Sequence, residues 1–138
     1  MAARSKARRR ALDVLYQAEL RGETPREALA RVIAEGQAPA NPYTTTLVEG
    51  VAADAEQIDD LLSRHSTGWT LERMPALDRN VLRLGVWELL HADDVPPPVA
   101  IAEAMALVQE LSTDDSPTFV NGVLGAIRRD PAVTAARD

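Results

Sequence analysis

Apolar residues in this chain recur three and four positions apart along nearly its whole length, and they almost never alternate. The first spacing is that of one face of an α-helix at ~100° per residue. The lack of alternation leaves no half-buried β-strand to propose. Glycine and proline cut the pattern into helix-sized pieces. A first helix is expected over residues 5–21, closed by Gly22, with Ala7, Ala11, Leu12, Val14, Leu15 and Ala18 on one side. Thr24, Pro25 and Glu27 spell a capping box for a second helix that ends at Gly36. A third runs from Pro42 to about His65 and buries Leu47, Val51, Ile58 and Leu62. A short turn over residues 69–74 precedes the most apolar helix, residues 76–91. There Val81, Leu82, Leu84, Val86, Leu89 and Leu90 cover most of the circumference, which places it centrally. Residues 99–111 come next, burying Ile101, Met105 and Val108. Ser116 caps a last helix that Pro117 begins, with Val120, Val123, Leu124 and Ile127 inward. Residues 131–138 are expected to fray.

The fold class is therefore all-α, about seven helices in one domain, with sub-halves of about residues 5–68 and 69–130 on one core. A chain of 138 residues buries ~68–70% of its unfolded surface and needs no staple. The absence of cysteine excludes disulfides, thiolate-bound zinc and thiol catalysis. Two histidines make an all-histidine metal site a poor proposal. No apolar run reaches the ~20 residues of a membrane span. Asp13, Gln17 and Glu19 interrupt the stretch after the basic start, so it is no signal peptide. The expectation is a soluble, cytoplasmic protein. No phosphate-cradling glycine loop, nucleophile elbow or metal-ligand spacing is present, so neither catalysis nor a cofactor is expected.

Charge carries the functional signal. The net charge is −6, yet Arg4, Lys6, Arg8, Arg9 and Arg10 stand in the first ten residues with no acid among them. The rest of the chain holds 10 basic against 21 acidic residues, or −11. An acidic body with one basic arm suits a polyanion bound at one place. Cations at a helix N-terminus oppose the macrodipole by ~0.3–1 kcal/mol each, so stability does not explain them. Lys6, Arg9 and Arg10 point away from the apolar side, whereas Arg4 and Arg8 project over it. The plain alternative is a solubilising tail, with Arg9 paired to Asp13 four residues on.

Tyr16 and Phe119 lie on the shoulders of the first and last helices, where an aromatic either edges the core or stacks a base. The N-terminus at Ser116 offers backbone N–H groups to a phosphate. Asp114 and Asp115 would repel that phosphate but could accept hydrogen bonds from base edges. Trp69 and Trp87 read as packing residues, Trp87 the nearer to the surface. Gly122 and Gly125 read as close helix contacts, and His65 and His91 as cations favoured at helix C-termini.

From Trp69 onward the residues themselves are distinctive. Trp69, Arg73, Asp78, Arg79, Val81-Leu82-Arg83, Trp87-Glu88-Leu89, Val95-Pro96, Ile101-Ala102-Glu103-Ala104 and Phe119-Val120-Asn121-Gly122-Val123-Leu124 resemble the NusB family of transcription antitermination factors. Leu15-Tyr16, Gly50-Val51 and Ile58-Asp59 agree more loosely. The alanine and arginine bias and the loop over residues 112–117 look like actinobacterial members. The resemblance implies two antiparallel helical halves, and binding to the boxA segment of nascent ribosomal RNA. It also implies a heterodimer with NusE, a small-subunit ribosomal protein, acting with RNA polymerase, NusA and NusG. Carried across, Arg4, Lys6, Arg8, Arg9 and Arg10 match the family's arginine-rich RNA-binding segment. Asp115 and Phe119 match positions near RNA, and Ser116 joins them through its helix N-terminus. Tyr16 and Asp78 match positions facing NusE. Asn121 and Gly122 match the family block and are assigned to packing. The family often has tyrosine where this chain has Trp87. Two other readings stand beside this one. One is a protein-interaction module or homodimer with an incidental basic arm. The other is an accessory RNA-binding domain of an rRNA-modifying enzyme, against which the lack of an attached catalytic domain weighs.

Overall fold

The computed structural model describes residues 2–137. Among these there are eight α-helices, one short 3-10 turn and no strand. The chain forms two compact units, one up to Ala55 and one from Glu56, so the division falls earlier than residue 68.

The first unit packs three helices, α1 (Ala3–Arg21), α2 (Pro25–Ala34) and α3 (Pro42–Ala53), each against the other two. Local chemistry sets their ends. Gly22 takes φ 68°, a left-handed conformation that glycine adopts without strain, and its N–H reaches Ala18 O and Glu19 O. The Thr24 hydroxyl accepts from the Glu27 N–H at 3.1 Å, and the Glu27 carboxylate accepts from the Thr24 N–H at 2.8 Å. The Asn41 side chain caps α3 by accepting from the Tyr43 N–H, with Pro42 in the first turn. All six residues expected on the inner side of α1 are buried. Helix α1 starts at Ala3, so the basic segment is helical rather than an unwound arm.

The second unit begins within α4 (Ala55–His65) and continues through the 3-10 turn (Leu71–Arg73) to α5 (Ala76–His91), α6 (Pro97–Leu111), α7 (Ser116–Arg128) and α8 (Pro131–Arg137). Helix α5 is central, packed against α6, α7 and α8, and its six expected core residues are all buried. Gly85 permits the approach of α7: a Cβ there would lie 2.9 Å from a Leu124 methyl. Arg83 donates to both oxygens of Asp59, at 2.9 and 3.0 Å, tying α4 to α5.

Three expectations change. The single helix over residues 42–65 is two, interrupted at Asp54, whose φ −113° and ψ 20° leave the helix; aspartate is a poor helix former. The α6 stripe is Ala100, Ala104, Leu107 and Val108, while Ile101 and Met105 are only half-buried. Small alanines let α6 lie close to its neighbours, which leaves the larger side chains at the margin. Residues 131–137 do not fray, and residue 138 lies outside the described residues. Pro131 opens α8, Val133 is buried, and Arg137 donates to Glu88 O at 2.9 Å and Val95 O at 2.8 Å.

Candidate nucleic-acid interface

In the first unit the basic segment, Arg4 to Arg10, occupies about two turns of α1. Lys6 and Arg9 are exposed. Arg4 is exposed too, with its guanidinium 4.2 Å from the centre of the Tyr43 ring, a cation–π contact that orients it. Arg10 is half-exposed and held: it donates to Asp13 at 2.5 Å and to Gln37 O at 3.1 Å. Asp13 therefore pairs with Arg10, three residues back. Arg8 departs from its expected role. It is 4% exposed, 5.7 Å from the Tyr43 ring, because its position on α1 lies over the apolar side. A covered guanidinium does not meet a phosphate; Arg8 belongs to the packing of α1 on α3. Two further bonds fix this surface: Thr44 Oγ1 donates to Ala7 O at 2.9 Å, and Asn41 Nδ2 to Ala3 O at 3.3 Å. Tyr16 is half-buried farther along α1.

In the second unit two neighbours on the first turn of α5 organise the rest. Asp78 is fully buried. Its carboxylate accepts from the Ser112 and Ser116 hydroxyls, both at 2.5 Å. Sitting in the first turn of α5, its charge also meets the positive end of the helix dipole. This corrects one expectation: Asp78 presents no surface to a partner in the chain as it stands, and the Ser116 hydroxyl is turned inward beside it, with 1% of that residue exposed. Both secure the start of α7 instead. That start presents exposed Asp115 and half-buried Phe119. Beside Asp78, Arg79 donates to Leu71 O at 2.6 Å and Met74 O at 2.9 Å, clamping the 3-10 turn.

The segment clamped by Arg79 carries a residue that the sequence pattern places in the core. Trp69 is 37% exposed and stands edge-on to Phe119, ring centres 5.2 Å apart at 72°. Trp87 is the more covered of the two, with its ring 5.7 Å from His91. A signal for Trp69 existed: Ser66, Thr67, Gly68 and Thr70 surround it, and no apolar residue at helical spacing offers to bury it. Gly122 also departs from expectation. Nothing approaches the space its Cβ would fill, and Asn121 is exposed; both line an open cleft of about 500 Å³ with Ile101, Met105, Arg128 and Arg129. His65 has a partner beyond its own helix: its Nε2 lies 2.8 Å from Asp130 Oδ2.

Among the described residues no group of three histidines or acids could hold a metal ion, and no helix is long and apolar enough to cross a membrane.

Residues 5–129 match the model of the NusB family. The transcription antitermination protein NusB of Nocardioides sp. is 65% identical over 130 residues, spanning 94% of this chain and 96% of that one. Its counterpart in Saccharopolyspora erythraea is 63% identical over 129 residues, 92% of this chain and 87% of that one. Among solved structures, T. maritima NusB superposes with a TM-score of 0.84 at 32% identity, over 98% of this chain and 96% of that chain. A NusB solved with NusE and double-stranded RNA gives 0.79 at 33% identity, over 91% and 96%. With the family model matched from the basic helix to the end of α7, the chain belongs to the NusB family of transcription antitermination proteins, which are not enzymes.

Proposed function

We propose that this protein binds the boxA segment of nascent ribosomal RNA together with NusE, and acts with RNA polymerase, NusA and NusG in antitermination. The observation that carries the reading is the exposed cationic face of α1, with Arg4, Lys6 and Arg9 outward and no acid in the first ten residues. Guanidinium and ammonium groups on a rigid helix neutralise phosphates without reading sequence. The second unit supplies groups of another kind. Phe119 offers a ring face to a base, and Asp115 a carboxylate that accepts from base N–H groups. Its acidic balance turns phosphates away, so nonspecific RNA binding there is suppressed. Tyr16, half-buried beside the polar face of α1, is the residue proposed to meet NusE. A solved relative holding both NusE and RNA supports the pair of partners.

The test is a titration of boxA RNA and a scrambled control, with and without NusE, at two salt concentrations. Preference for boxA that strengthens with NusE and falls with salt is expected. Equal weak binding to both RNAs, unchanged by NusE, would replace this reading with that of an interaction module. Light scattering on the free protein then reports whether it self-associates.

A further inference from the structure

We infer that Trp69 is a second base-stacking residue, and that the cleft beside it takes one nucleobase of a single-stranded RNA whose neighbouring base meets Phe119. This rests on the RNA-binding reading above and adds a subsite to it.

The ring is the first observation. An indole 37% exposed, in edge contact with Phe119, leaves a face open beside the one aromatic already proposed to meet RNA. Successive bases stack well on paired aromatics, because every base has a π-face. The cleft is the second. Ser63, Ser66, Trp69, Thr70, Leu71 and Glu72 line an open space of about 400 Å³ that mixes hydroxyl and apolar groups beside the ring. Glu72 adds a carboxylate suited to base N–H donors and hostile to phosphate. Arg73, exposed on the same 3-10 turn, adds a cation for the backbone.

Rigidity is the third. Gly68, immediately before Trp69, takes φ 90°, a left-handed conformation that glycine adopts without strain. Arg79 clamps the turn after Trp69, while its neighbour Asp78 clamps the start of α7 ahead of Phe119. Two adjacent residues of α5 thus fix the carriers of both rings. A pair held only for packing needs no hydroxyl-lined cleft and no exposed face.

Trp69 reports on itself. In Trp87→Phe it is the sole tryptophan of the two. Unlabelled boxA RNA should quench its emission saturably, with the midpoint given by anisotropy of fluorescein-labelled RNA. With NusE present, Trp69→Ala should weaken RNA binding about 5- to 140-fold, the equivalent of ~1–3 kcal/mol per stacked base at 1.4 kcal/mol per tenfold. Trp69→Phe should recover most of that loss, which separates stacking from a folding defect. RNA binding unchanged in Trp69→Ala overturns the inference and leaves the RNA reading intact. Weakened binding with unquenched emission also overturns it, since the ring then acts only by holding Phe119. Loss of NusE affinity in place of RNA affinity makes the cleft a protein contact and overturns it too. No RNA bound by the unaltered protein, with or without NusE, removes both readings.

Discussion

Asp78 is a carboxylate with no exposure whose partners, Ser112 and Ser116, lie 34 and 38 residues along the chain. Removing it leaves two inward hydroxyls without their acceptor, so Asp78→Ala should lower stability by about 1–3 kcal/mol. Urea unfolding checks this, and an unchanged midpoint would show that water replaces the carboxylate without loss. The sequence marked Asp78 as a family position but gave it the wrong surroundings. A lone acid in a first turn looks solvated until distant serines are brought to it. The glycines teach the same lesson by contrast. At Gly85 a Cβ would press on the buried Leu124 methyls at 2.9 and 3.1 Å, so Gly85→Ala should destabilise by about 1–3 kcal/mol through overpacking. At Gly122 the space is open, so Gly122→Ala should stabilise by about 0.5–1 kcal/mol through helix propensity. Thermal melts of the two variants should move in opposite directions. Both glycines sit in helical patterns, and spacing alone does not say which one another helix touches.

The helix ends were the most legible elements, because capping is local. Thr24, Pro25 and Glu27 specify the start of α2 within four residues, and Gly22 the end of α1. Helix α8 was missed for a related reason: Pro131 both stops one helix and opens another, and only tertiary contacts decide which. Those contacts are the carbonyls at the end of α5 and beyond, which the Arg137 guanidinium reaches. Arg137→Ala should cost about 1–3 kcal/mol and release α8, seen as faster amide exchange around Val133. The junction before α8 carries a pH dependence. Asp130 is held below its ordinary value of 3.8, chiefly by the His65 hydrogen bond, then by the Ala132 N–H. A depressed carboxylate stabilises the fold in its ionised form. That contribution is complete above the ordinary value and disappears as pH falls through the depressed one. Asp130→Asn should therefore be less stable at neutral pH and should flatten the acid limb of the stability profile below about pH 4. An acid limb of unaltered slope would assign the acid sensitivity to other carboxylates.

Over the whole molecule, charge separates as the two units do. Up to Ala55 the chain has 8 basic and 7 acidic residues; from Glu56 it has 7 basic and 14 acidic. The asymmetry was legible from sequence, because counting needs no structure. Which cations are accessible was not, because Arg4 and Arg8 share the apolar side of α1 one turn apart, yet only Arg8 is covered. The structure covers Arg8 and leaves Arg4, Lys6, Arg9 and Arg10 exposed or half-exposed. Four neutralised phosphates give a log-affinity against log-salt slope of about −3, at ~0.7 per phosphate on a single strand. The variants then divide by burial, not by charge, since each loses one positive charge. Lys6→Ala and Arg9→Ala should each make the slope shallower by about 0.7 and leave stability within ~0.5 kcal/mol. Arg8→Ala should lower stability through lost packing against Tyr43 while leaving the slope where it was. If Arg8→Ala flattened the slope as much as Arg9→Ala does, with its melting unchanged, the N-terminal turns of α1 would have to open when RNA binds. Arg8 would then be counted among the phosphate contacts after all.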